Sequence, residues 1–209
     1  MESNSIILLG SGGHAKACID VIEQEGSFVV AGLVGLPHEV GSKILDYPVL
    51  GTDADLPALL GSHVRALVAV GQIESPKLRM RLFTLLEESG CSLPVIVSPR
   101  AYVSPHASLG AGTIVMHGAI INAGAKVGSN CILNTRALIE HDATVGDHCH
   151  ISTGAILNGN VSIGSGSFIG SGSIIKEGVA LGHGCVVGMG LSVRHNQADH
   201  ARLVGNDKS

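Results

Sequence analysis

The pair in this chain best suited to chemistry is an imidazole beside a carboxylate, His141-Asp142. Histidine titrates near neutral pH, so it can take a proton from an attacking group at working pH. An adjacent carboxylate can fix its tautomer and stabilise the imidazolium that forms. The chain holds eleven histidines, and most, among them His38, His63, His106, His183, His195 and His200, read as solvated turn residues. His148 and His150 follow His141 by seven and nine residues, a spacing that does not suit a metal. The five cysteines contain no C-x-x-C pair, which argues against zinc; Cys131, Cys149 and Cys185 read as small core residues. The second candidate is the glycine-rich stretch Gly10-Ser11-Gly12-Gly13-His14, followed by a helical pattern. Its backbone amides, at a helix N-terminus, suit a phosphate. It fits G-x-G-x-x-A, close to a dinucleotide fingerprint, but the end of the next strand reads Leu33-Val34-Gly35, with no acid to hold a ribose. A nucleotide or sugar phosphate therefore suits this turn better than NAD.

The elements that must position these groups are of two kinds. From Val103 to Val193 every sixth residue is a branched aliphatic: Val103, Leu109, Val115, and so on through Ile139, Val145, Ile151 and Leu157 to Val193. Small residues such as Ala125, Cys131 and Ala137 stand four places after many of them, and Gly often follows directly. A period of six fits neither a helix nor a lone strand; it is the hexapeptide pattern of a parallel β-helix. Three hexapeptides close one triangular coil, aliphatics inward, with coils about 4.8 Å apart. About five coils fit the stretch. His141 falls at a corner, and Gly159, one coil later, falls on the same edge.

The N-terminal third alternates differently. Ile6-Ile7-Leu8-Leu9 reads as a buried strand, Ala15 to Glu25 as a helix ended by Gly26, and Phe28 to Val34 as a second strand. Thr52 can cap a short helix through Leu60; a strand over Arg65 to Val70, a helix over Ser75 to Glu88 and a fourth strand over Leu93 to Val97 complete a small parallel α/β sheet. The expected division is residues 1–98, a Rossmann-like acceptor-binding domain, and 99–209, a β-helix with a C-terminal tail.

Composition narrows the function. Of 209 residues, 45% are hydrophobic and 14% charged, as in a well-buried globular protein. Aromatics are 2% and the net charge is −4, so platforms and basic grooves for nucleic acid are absent. No apolar run reaches membrane-spanning length and no signal peptide is evident, so the cytoplasm is the expected location.

The short Rossmann-like start with its Gly10-Ser11-Gly12-Gly13-His14 turn, followed by a hexapeptide β-helix, resembles the bacterial sugar acetyltransferases of the PglD/NeuD type over almost the whole chain. The most specific segment is Leu133 to Asp142, then Gly146-Asp147, His150-Ile151-Ser152 and Gly159-Asn160-Val161. The resemblance implies a left-handed β-helix that forms a homotrimer and binds acetyl-CoA between neighbouring helices, with no metal. It implies N-acetylation of an amino-sugar, nucleotide-linked through UDP or dTDP, by direct attack. Its catalytic set would be His141 as base, Asp142 as its partner and the Gly159 amide at the oxyanion. By the same resemblance, His150, Ser152, Gly159, Ser171 and Met189 line the acetyl-CoA groove, while Gly12, Gly13, His14, Gly71, Asn134 and Glu140 hold the acceptor. The chain departs from the family at Val34-Gly35, where acidic residues are common, and at Val204 to Lys208, where G-x-P-A-K lacks its Pro and Ala. O-acetylation, as on sialic acid, is the close alternative; a non-catalytic trimer and a zinc hydratase are more distant ones.

Overall fold

In the computed structural model, which describes residues 4–60 and 65–205, the hexapeptide stretch winds into a left-handed parallel β-helix with three faces. Two-residue strands stack in register at a spacing of 18 residues, for example Leu138 on Ile120 and Ile156 on Leu138. The second residue of each strand points inward. All sixteen aliphatics of the six-residue series lie in or against one apolar column, together with Ala119, Cys131, Ala143 and Cys149. Each fully buried aliphatic contributes roughly 1.5–3 kcal/mol. Corners turn through left-handed backbone, which glycine and, less readily, Asn and Asp adopt. At the corner after Leu138–Ile139 this residue is Asp142, at φ 58°, with Asn160 in the same conformation one coil on.

The first residue of each strand points outward, and its chemistry differs by face. Face A is a seven-stranded sheet running from Ile96–Val97 to Arg202–Leu203. Its outward Ile96, Ile114 and Ile132 are buried with Ala15, Ile19 and Ile22 of the N-terminal unit. Face C has five strands, and its outward Ser108, Lys126, Thr144, Ser162 and Ala180 are exposed. Face B has six strands and presents an apolar ladder: Tyr102, Ile120, Leu138, Ile156 and Ile174. Tyr102 is 54% exposed, Ile120 and Ile174 41% each.

The N-terminal unit is a five-stranded sheet with helices against it. Strands β1 (Ser5–Leu9), β2 (Val29–Val34), β3 (Lys43–Ile44), β4 (Tyr47–Gly51) and β5 (Arg65–Val68) lie in the order β3-β4-β2-β1-β5. β3 is antiparallel to β4; the other pairs are parallel. Helix α1 spans Gly13–Glu25 and ends in a left-handed Gly26; α2 is Leu56–Leu60 and α3 Lys77–Glu88. Two readings of the sequence differ from this. The hairpin of β3 and β4 was not anticipated, because Lys43–Ile44 is too short to show alternation. The expected fourth sheet strand, Leu93 to Val97, shortens to Ile96–Val97 and pairs with Ile114–Val115 of face A. It is the first rung of the coil, two residues ahead of the division expected at 98/99.

Two clamps join the units. Arg79 of α3 is 1% exposed and donates to the carbonyls of Val68 and Val70 and to the carbonyl and side-chain oxygens of Asn130 on the coil. Burial pushes its pKa down to about 10, so it stays charged near neutrality. The second clamp runs from Ser98 through His117 to Asp20 of α1, with O···N distances of 2.6 and 2.7 Å. That order echoes a hydrolytic triad. Yet Ser98 is 1% exposed and its hydroxyl already accepts the Arg100 N–H, so it has no access to an ester.

Candidate active site

The edge between faces B and C carries the corner Glu140-His141-Asp142. Left-handed backbone at Asp142 swings its carboxylate back to the preceding ring, and Oδ2 accepts the His141 Nδ1–H at 2.9 Å. This bond, reinforced by the carboxylates of Asp142 and Glu140, holds the His141 pKa above its ordinary 6.5. With the proton on Nδ1, the lone pair sits on Nε2. The ring is 66% exposed, so Nε2 is open to a substrate.

Neighbouring coils make room for this arrangement. A Cβ on Gly159 would lie 2.7 Å from His141 Nε2, and a Cβ on Gly124 would lie 2.5 Å from Asp142 Oδ1. Any side chain at 159 would therefore displace the ring. The Gly159 N–H donates no hydrogen bond among the described residues, so it is free to meet an oxyanion. Glu140 accepts the Asn122 amide at 2.8 Å and the His141 N–H at 3.3 Å. Asn122 and Asn158 were not singled out from sequence, although both stand 18 residues from Glu140 on this edge. Glu140, His141 and Gly159 thus line one open depression with Asn158 and Asn160, and Asp142 is joined to it through its bond to the His141 ring.

The other expected residues lie elsewhere in the chain. Asn134, Ser152, Ser171 and Met189 occupy the edge between faces A and B. The Ser152 and Ser171 hydroxyls are 2.9 Å apart, and Met189 is 81% exposed. His150 is buried beneath this edge. Its Nδ1–H donates to the Gln72 carbonyl at 2.6 Å, and its Nε2 accepts the Asn134 amide at 3.1 Å. Burial pushes its pKa down to about 4, so it is neutral near pH 7. Both ring nitrogens are engaged, which makes His150 a wall that fixes Asn134. Gln72, unremarked in the sequence, supplies the link to the N-terminal unit.

Gly12, Gly13, His14 and Gly71 line a cleft of about 410 Å³ at the C-terminal ends of β1 and β2. The N-terminus of α1 opens into it with no side-chain cap and no acid in its first turn. The His14 ring sits 6.5 Å from that of His150, and burial pushes its pKa down to about 3. The cleft therefore abuts the A/B edge, whereas His141 stands on the B/C edge, with strand Leu138–Ile139 between them. In one chain the base and the cleft are apart, and Asn134 and Glu140 with them.

Among the described residues no group of three His, Cys, Asp or Glu side chains could hold a metal, and no helix is long and apolar enough to cross a membrane. Lys208, in the atypical tail, lies outside the described residues.

The PglD N-terminal domain family matches residues 5–86, and the hexapeptide repeat of succinyl-transferase matches 160–194. No curated protein matches the chain significantly in sequence. Among solved structures, perosamine N-acetyltransferase from Caulobacter crescentus, a histidine-to-asparagine mutant in complex with CoA and GDP-perosamine, is 33% identical with a TM-score of 0.90. The match covers 97% of this chain and 94% of that one. The acetyltransferase domain of PglB from Neisseria gonorrhoeae, in complex with acetyl coenzyme A, is 30% identical with a TM-score of 0.89, covering 98% and 97%. WeeI from Acinetobacter baumannii shares the fold at 24% identity and a TM-score of 0.85, over 97% and 98%.

Proposed function

This chain belongs to the hexapeptide-repeat sugar acetyltransferases of the PglD type, and from that premise we propose that it transfers acetyl from acetyl-CoA to the amine of a nucleotide-linked amino-sugar. One observation carries the reading: an imidazole whose Nδ1–H is held by Asp142 while Nε2 faces the space that Gly159 leaves free.

The chemistry follows from that corner. The neutral amine attacks the thioester carbonyl, forming the C–N bond. His141 Nε2 takes the amine proton, and the Asp142 carboxylate stabilises the imidazolium. The Gly159 N–H donates to the carbonyl oxygen as it gains negative charge. The C–S bond then breaks, and the thiolate of coenzyme A leaves with the proton from His141. Attack is direct, since Cys131, Cys149 and Cys185 are buried in the coil.

The nucleotide portion occupies the cleft of the N-terminal unit, against Gly12, Gly13, His14 and Gly71, while the coil, from its first rung at Ile96–Val97, carries acetyl transfer. Ser171 and Met189, with Ser152 behind them and His150 as the buried wall, line the coenzyme groove. Because base and cleft stand on opposite margins of face B, a complete site needs a second copy. A homotrimer that covers the Tyr102-Ile120-Leu138-Ile156-Ile174 ladder brings the B/C edge of one subunit to the A/B edge and cleft of the next, placing Glu140 near Asn134. A cytoplasmic setting suits five free thiols.

The test is thiol release from acetyl-CoA over nucleotide-linked 4-amino and 3-amino sugars, with sialic acid as the hydroxyl acceptor. Release with an amino-sugar and an N-acetylated product is expected. Release only with the hydroxyl acceptor would replace N- by O-acetylation.

Asp142→Asn gives a second check. A base works when deprotonated, so the acid limb of the kcat/KM profile follows the raised pKa of His141. Removing the carboxylate removes the largest cause of that rise. The limb should move to lower pH, and the plateau should fall because the tautomer is no longer fixed. An acid limb that stays in place would exclude the pair from the titration.

A further inference from the structure

The sequence showed no acid where the second strand ends, yet the fold delivers one there. Glu39 lies five residues past β2, at the end of a short 3-10 turn begun by Pro37. The turn brings its carboxylate back to the glycine-rich loop. Oε2 accepts the Ser11 hydroxyl at 2.6 Å and the Leu36 N–H at 2.7 Å. Gly35 is what lets it in: a Cβ there would lie 2.7 Å from Ser11 Oγ and 2.9 Å from Glu39 Oε2. The glycine that seemed to remove a ribose contact is the space the carboxylate fills.

The consequence is a preorganised acceptor on the cleft wall. Oε2 is committed to two donors, while Oε1 takes no hydrogen bond among the described residues. Glu39, Ser11 and Leu36 all line the cleft beside Gly10 and Gly12, so the free oxygen stands next to the loop that would face a diphosphate. In glycine-loop folds of this kind a carboxylate after the second strand accepts from ribose hydroxyls. Leu36 and Leu78, 58% and 47% exposed, supply apolar surface on the same cleft, suited to the face of a base.

We propose that Glu39, steadied by Ser11, reads the ribose 2′-hydroxyl, and so selects acceptors carried on a ribonucleoside diphosphate over those on a 2′-deoxyribonucleoside diphosphate. This rests on the nucleotide-linked reading above. It turns the open choice between UDP- and dTDP-linked sugars toward the ribonucleotide. Glu39 is a specificity residue, remote from acetyl transfer.

The test is calorimetry on the full chain with UDP, dUDP, GDP and dGDP. A hydrogen bond to a charged group predicts ribonucleotides binding about 10-fold or more tightly than their deoxy counterparts. In Glu39→Gln, which keeps the side-chain shape and an acceptor for Ser11, the ratio should fall to within about 3-fold, through weaker ribonucleotide binding. Equal affinity for ribo- and deoxynucleotides in the unaltered chain overturns the proposal, as does an unchanged ratio in Glu39→Gln. Absence of heat with all four would overturn it together with the nucleotide-linked acceptor, so the two failures are distinguishable.

Discussion

His141→Ala is expected to lower kcat/KM for acetyl transfer by roughly 10²–10⁴-fold, with the fold and assembly intact. The ring is two-thirds exposed and hydrogen-bonds only to its neighbour Asp142. Its loss opens no cavity and strands no buried group, so the stability change should stay within about 0.5 kcal/mol. The loss should appear mainly in kcat, because the proposed acceptor cleft and coenzyme groove are untouched. Steady-state kinetics with thermal melting as the control decides it. Undiminished turnover would remove His141 from the mechanism and leave the corner as mere architecture.

Ile156→Asp should abolish assembly and activity together. Ile156 stands mid-ladder on face B, between Leu138 and Ile174, and points away from the coil interior, so a carboxylate there costs a lone chain little. In an assembly that covers the ladder, each copy would bury an unpaired charge, which is strongly destabilising. Light scattering should report monomers, circular dichroism an unchanged fold, and thiol release a fall of roughly 10²-fold or more. Activity should be lost although no residue of the His141 corner or of the cleft has changed. An active monomer would mean that one chain suffices, and that the base and cleft meet by some other route.

These two variants also separate what was legible in the sequence from what was not. The coil was legible because each rung meets only the rungs 18 residues away, so its period is written directly in the aliphatic series. The same regularity sets His141 and Gly159 on one edge a coil apart, and the structure gives the steric reason at the His141 ring. Glu39 was illegible for the opposite reason. Its contact with Ser11 spans 28 residues and depends on a single 3-10 turn, which has no period to betray it. The resemblance sets His150 in the coenzyme groove. Its actual environment, with both nitrogens engaged by Gln72 and Asn134, depends on how the N-terminal unit lies on face A. The strand at Ile96–Val97 was read correctly as a strand, but alternation alone cannot say which sheet will accept it.

The sequence by itself determined a six-residue coil, a glycine-loop α/β unit and an Asp-oriented imidazole on a corner, because local period and adjacency encode all three. Only the tertiary structure decided that this imidazole and the cleft stand on opposite margins of an uncovered apolar face, and that Glu39 fills the place beside Gly35. Those outcomes depend on how non-repeating segments dock on a repeating one, through contacts that no spacing rule along the chain contains.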